Sequence, residues 1–161
     1  MTRSSLTPLC YPAHYPPRQR WARFFIGVRW LGPDLSFFSV LKSLQGERTG
    51  DQMEAWGGGN RQRIATVVGE AFARQLRWPS PWFLPEDEMR AIAGGPRFVG
   101  LDDQQDMENA VGEIQERLGV ALPRGYWEDA GARTLAEVVD QIVSEAAGSG
   151  LADPADFSAA D

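Results

Sequence analysis

A single cysteine, Cys10, and a single histidine, His14, are the obvious nucleophile and base in this 161-residue sequence. A thiol attacks as its thiolate, and a neighbouring imidazole is the usual group that generates it. Both residues stand among Pro8, Pro12, Pro16 and Pro17, a density of proline that disfavours the regular element needed to fix their geometry. One cysteine excludes an intramolecular disulfide, and one Cys with one His cannot complete a structural zinc site. Carboxylates are the remaining resource. Glu86, Asp87 and Glu88 form one cluster; Asp102, Asp103 and Asp106 form another. Paired carboxylates bind Mg²⁺ or Ca²⁺, or act as general acid and base where a pKa is tuned. The second cluster lacks the glycine and the distant Glu of a calcium loop. Both clusters are explained more simply as helix starts, where negative charge meets the positive end of the macrodipole. The expectation is a protein that is not an enzyme, with no catalytic residue, cofactor or metal.

Charge divides unevenly along the chain. Residues 1–49 carry seven basic and two acidic side chains, net +5; residues 50–161 carry nine and twenty, net −11, and the two sum to −6. An acidic surface repels phosphate, so nucleic acid is not expected as a partner. No apolar run reaches the about 18 residues of a membrane span. Phe24 to Leu44 comes nearest and is interrupted by Arg29, Pro33, Asp34 and Lys42. With no signal-type apolar stretch at the start, a cytoplasmic location is expected.

The elements that would position these groups are mostly helical. Residues 1–20 are expected to be a flexible tail. Residues 21–46 form an apolar accessory segment with one strand and one short helix. Phe24, Ile26, Val28 and Trp30 alternate at the strand period, and Leu35, Phe38, Leu41 and Leu44 recur every three residues between Pro33 and Gly46. Residues 47–59 are expected to be a linker. Gly57-Gly58-Gly59 lacks the Lys-Ser/Thr ending of a phosphate-binding loop.

Residues 60–146 form an acidic helical domain of four helices. Asn60 caps the first, with Ile64, Val67, Val68, Phe72 and Leu76 on one face. Trp78-Pro79-Ser80-Pro81 stops it. A short helix runs from Pro85 to Ile92, with Glu86, Asp87 and Glu88 in its first turn. Asp106 is expected to cap the third, whose apolar face is Met107, Ala110, Val111, Ile114 and Leu118. The fourth opens on a capping box, Thr134-Leu135-Ala136-Glu137, and buries Leu135, Val138, Val139 and Ile142. Trp78, Trp82 and Phe83 are expected to pack as a core wall, with a pocket lining as the alternative. Residues 147–161, small and acidic, are expected to be disordered.

From Asp103 to Val143 the chain resembles the second half of an acyl carrier protein. The acidic loop Gly100-Leu101-Asp102-Asp103 leads into an acidic helix ending Glu116-Arg117-Leu118-Gly119-Val120. Leu122-Pro123 follows, and then the capped helix Thr134 to Ile142. The resemblance implies a mainly α fold, a small four-helix carrier-like bundle whose first helix is 61–77. Carrier proteins bear phosphopantetheine on a serine at the start of the second helix. Gln104-Gln105 stands there in this chain, and no serine occurs between Ser80 and Ser144. The resemblance therefore implies a non-catalytic interaction domain without covalent cargo. It presents Asp106, Glu108, Glu113 and Glu116 to the basic surface of a protein partner. The alternatives are a small acidic inhibitor or immunity-type protein covering a basic enzyme site, and a carrier whose acceptor lies elsewhere, for example at Ser80.

Overall fold

A computed structural model of the chain describes residues 7–16, 34–95, 103–123, 126 and 130–148. The element order begins with α1, Phe37–Gly46, and a 3₁₀ segment, Gly50–Trp56. Helices α2, Gly59–Gln75, and α3, Met89–Ala93, follow. Then come α4, Asp103–Leu118, a 3₁₀ turn, Ala130–Ala132, and α5, Leu135–Gly148. The four helices expected within 60–146 all form, and the chain is mainly α. The strand expected over Trp21 to Trp30 lies outside the described residues, as do residues 1–6, the loop 100–102 and residues 149–161.

Helix α2 is the longest of these and packs against both α4 and α5. Its apolar face holds as expected for Ile64, Val68 and Phe72, while Val67 is half-buried. Asn60 does not cap it. Gly57, Gly58 and Gly59 all take left-handed backbone, with φ of 80°, 80° and 62°, and bring the chain into the helix at Gly59, ahead of Asn60. A second glycine has a steric purpose. A Cβ on Gly69 would lie 2.2 Å from the carbonyl oxygen of Pro81, so only glycine lets the 79–83 loop run directly over α2. Trp78, just before that loop, and Phe83, at its end, enter the core edge-on to one another, with Phe83 edge-on to Phe72. Trp78 also donates its indole N–H to the Ile92 carbonyl at 3.0 Å.

Other sequence expectations change as well. Residues 47–59 are not merely a linker: Met53 and Trp56, one 3₁₀ turn apart, are buried, and Trp56 donates its indole N–H to Phe83 at 2.9 Å. The helix expected from Pro85 starts only at Met89. The chain before it pairs instead with the entry to α5, through an antiparallel bridge between Glu88 and Thr134 and a 2.8 Å bond from the Leu135 amide to the Asp87 carbonyl. Helix α4 begins a turn earlier than Asp106, at Asp103. The α5 capping box forms as read: Glu137 accepts from the Thr134 amide at 2.8 Å, and Thr134 Oγ1 accepts from the Glu137 amide at 3.4 Å.

Residues 7–16, expected as part of a tail, lie against this framework. Leu9 is fully buried. Its anchor is a buried ion pair between Arg48 and Asp87, whose side chains are 3% and 0% exposed. The guanidinium grips the carboxylate with two nitrogens, at 2.5 and 2.9 Å. Asp87 also accepts from the amides of Leu9 at 2.8 Å and Leu84 at 2.7 Å. Arg48 further donates to the Thr7 carbonyl at 3.1 Å. Three stretches remote in sequence therefore meet at one carboxylate.

A buried charge left alone by removal of its partner costs about 3–5 kcal/mol. Asp87→Asn keeps the shape and removes the charge, and is expected to lower the unfolding free energy by about that amount in a urea titration. Tyr126 supplies a second test. Its hydroxyl donates to the Val138 carbonyl at 2.6 Å, and burial pushes its pKa up from 10.0 to about 12. Folding thus favours the neutral phenol. Its contribution is complete below pH 10 and is lost as pH rises from 10 towards 12. Tyr126→Phe is expected to remove that alkaline loss from the stability-against-pH curve.

Candidate functional site

Helix α4 presents two faces. Ala110 and Ile114 are fully buried against α2, with Met107, Val111 and Leu118 half-buried beside them. On the other side, Asp106, Glu113 and Glu116 fall within about 80° of each other around the axis, and Glu108 about 80° further on. The helix is therefore amphipathic with an acidic outer arc, about 15 Å from Asp106 to Glu116.

The four expected partner-binding residues do not share one environment. Glu113 is engaged within the chain. One of its oxygens accepts from Arg74 at 2.6 Å and the other from Gln75 at 2.9 Å, both on α2, and Arg117 lies 3.6 Å away. Arg117 itself pairs with Glu70 of α2 at 2.5 Å. This ladder straps α4 to α2 beside their apolar seam. Glu108 and Glu116 are exposed, and Asp106 is half-buried. Among the described residues neither Asp106 nor Glu116 forms an ion pair.

In the first turn of α4, Gln105 is exposed and donates its side-chain amide to Asn109 at 3.2 Å. Ser80 is held in a different way. Its hydroxyl donates to the Gln45 carbonyl at 3.0 Å, its amide donates to Gln45 Oε1 at 3.0 Å, and Gln45 Nε2 returns a bond to the Ser80 carbonyl. Gln45 is fully buried. The Ser80 hydroxyl thus belongs to a clasp between α1 and the 79–83 loop.

Cys10 is exposed and His14 is exposed. Partial burial pushes the Cys10 thiol up, and the carboxylates of Glu88 and Asp87 add to this, against Arg90. That environment disfavours the thiolate a nucleophile requires. Glu88 moves the opposite way. The Arg90 guanidinium donates to it at 2.7 Å and holds its carboxyl below the usual range, assisted by the Tyr11 amide. No group of three or more His, Cys, Asp or Glu side chains among the described residues is arranged to hold a metal ion. No helix among them is long and apolar enough to cross a membrane.

Arg48 and Gln45 belong to no site read from the sequence, and Asp87, grouped there with Glu86 and Glu88 as a helix start, is instead half of a buried ion pair. A weak signal exists for Asp87, which follows Leu84-Pro85 closely enough to turn back onto that loop. None exists for Arg48 or Gln45, whose partners are 34 to 41 residues away. No protein-family model matches the chain, and no curated protein or solved structure matches it either.

The division within the acidic arc can be measured. Glu113→Gln is expected to cost about 1 kcal/mol of stability, because two donors on α2 lose a charged acceptor. Glu116→Gln is expected to stay within about 0.5 kcal/mol of the parent. Parallel denaturant titrations distinguish the two.

Proposed function

We propose that this protein is a non-catalytic interaction domain, carrier-like in its helical order and without covalent cargo. It presents the outer face of α4 to a basic protein surface. The observation that carries the reading is the unequal pairing of carboxylates around α4. Glu70 and Glu113, near the seam with α2, are matched by Arg74 and Arg117. Asp106, half-buried on the flank of the helix, and Glu116, exposed on its outer side, have no such match among the described residues. Unneutralised charge on one face of a rigid helix accelerates encounter with an oppositely charged partner and sets its orientation.

The resemblance to acyl carrier proteins supports the choice of helix, since it places α4 where that family meets its enzymes. The exposed glutamine at the acceptor position supports the absence of cargo. An amide cannot take up the phosphodiester that a serine hydroxyl forms.

Two measurements test the reading. After incubation with a phosphopantetheinyl transferase and coenzyme A, the intact mass is expected to be unchanged, and a gain on any serine overturns the cargo-free reading. Glu108→Lys with Glu116→Lys is expected to weaken capture of the partner from the source cells by at least about tenfold, on the order of 1.4 kcal/mol. Raising the salt concentration on the parent protein is expected to act in the same direction. Equal capture by parent and variant removes α4 as the interface.

A further inference from the structure

We propose that the cleft between Arg48 and the 84–88 loop is a receptor for an extended peptide. The chain fills it with its own residues 7–11, and the same residues of a second copy can replace them. This surface is separate from the acidic face of α4.

The contacts have the form of peptide recognition rather than of helix packing. Along the segment Thr7 is exposed, Pro8 half-buried, Leu9 fully buried, Cys10 exposed and Tyr11 half-buried, so Leu9 and Tyr11 turn inward on either side of Cys10. The polar contacts go to the segment's main chain. Asp87 accepts from the Leu9 amide, Arg48 donates to the Thr7 carbonyl, and the Glu88 amide donates to the Leu9 carbonyl at 2.9 Å. The Glu88 carboxylate accepts from the Tyr11 amide at 3.2 Å. Main-chain bonds give affinity that is indifferent to sequence, and alternate pockets give selectivity.

The selective positions are Leu9 and Tyr11. Leu9 enters the apolar core. The Tyr11 hydroxyl lies 1.9 Å from where a Cβ on Gly94 would stand, so glycine at 94 makes room for the phenol. Arg90 covers the ring from 5.9 Å. The ligand pattern is therefore Leu-x-Tyr, with little demand at the intervening position.

The receptor's polar groups are also held by partners outside the segment. Asp87 Oδ2 accepts from Leu84 and Arg48, and Arg48 Nη1 additionally faces the Trp82 carbonyl at 3.4 Å. The other half of the pair, Asp87 Oδ1 and Arg48 Nη2, meets Leu9 and Thr7. Half of the network thus stays in place when the segment leaves, which is what exchange requires. On the opposite side of the 87–88 stretch, the bridge to Thr134 fixes the same backbone from the entry to α5.

The test uses the full chain with a specific protease site inserted within 17–33. The protein is cut, mixed with an isotope-labelled cut copy, and examined by native mass spectrometry. The expected result is that each amino-terminal piece stays bound and that hybrids of light and heavy pieces form. A fluorescent peptide of residues 5–16 is expected to bind the cut protein, and its Leu9→Asp form at least about tenfold more weakly. Retention without hybrids overturns the proposal. So does loss of the piece with no peptide binding, equal binding of both peptides, or unfolding on cleavage, which would make the segment an inseparable part of the core.

Discussion

Everything around the 84–88 loop depends on one buried ion pair. Arg48 and Asp87 share two hydrogen bonds out of contact with water, and the remaining capacity of each is taken up by backbone groups of the 7–9 and 82–84 stretches. Such a pair adds little net stability over an apolar pair of equal volume, because desolvation offsets most of the attraction. Its effect here is on geometry. Both charges are satisfied only when the end of α1, the loop before α3 and the amino-terminal segment meet in one register.

The same device recurs in weaker form wherever a loop crosses a helix. Trp56 and Trp78 each donate an indole N–H to a loop or helix carbonyl, and Gln45 binds both sides of Ser80. A buried backbone carbonyl without a donor costs free energy comparable to a lost hydrogen bond. Large side chains reaching into the core satisfy these carbonyls and contribute apolar area together. Gly69 is the complement of this arrangement, since it removes a side chain where the loop backbone must touch α2.

Helical periodicity makes α2, α4 and α5 legible in the sequence, because each has an apolar stripe long enough to outweigh local ambiguity. The Thr134–Glu137 box is legible because both partners lie within one turn. What is hidden is pairing at a distance. Glu86, Asp87 and Glu88 look alike as a helix start, yet Glu86 is exposed and Asp87 is fully buried. Arg48, 39 residues upstream, makes that difference together with the Leu9 and Leu84 amides. Glu113 and Glu116 are the same residue type one turn apart. Arg74 and Gln75 draw the first to α2 and leave the second on the outer arc, and nothing near either residue in sequence announces it. The linker fails as an expectation for a related reason: Met53 and Trp56 are too few to show a period, and their burial depends on Phe83.

The ion pair also sets an order of events on the ribosome. Leu9 and the carboxylate that receives its amide are 78 residues apart, and Arg48 and Asp87 are 39 apart. During synthesis residues 7–16, with Arg48 behind them, are exposed before Asp87 has been added. The bridge to Thr134 comes later still. Contacts of such separation close late, after the loop entropy between them has been overcome. The segment 7–11 is therefore among the last parts of the described fold to settle.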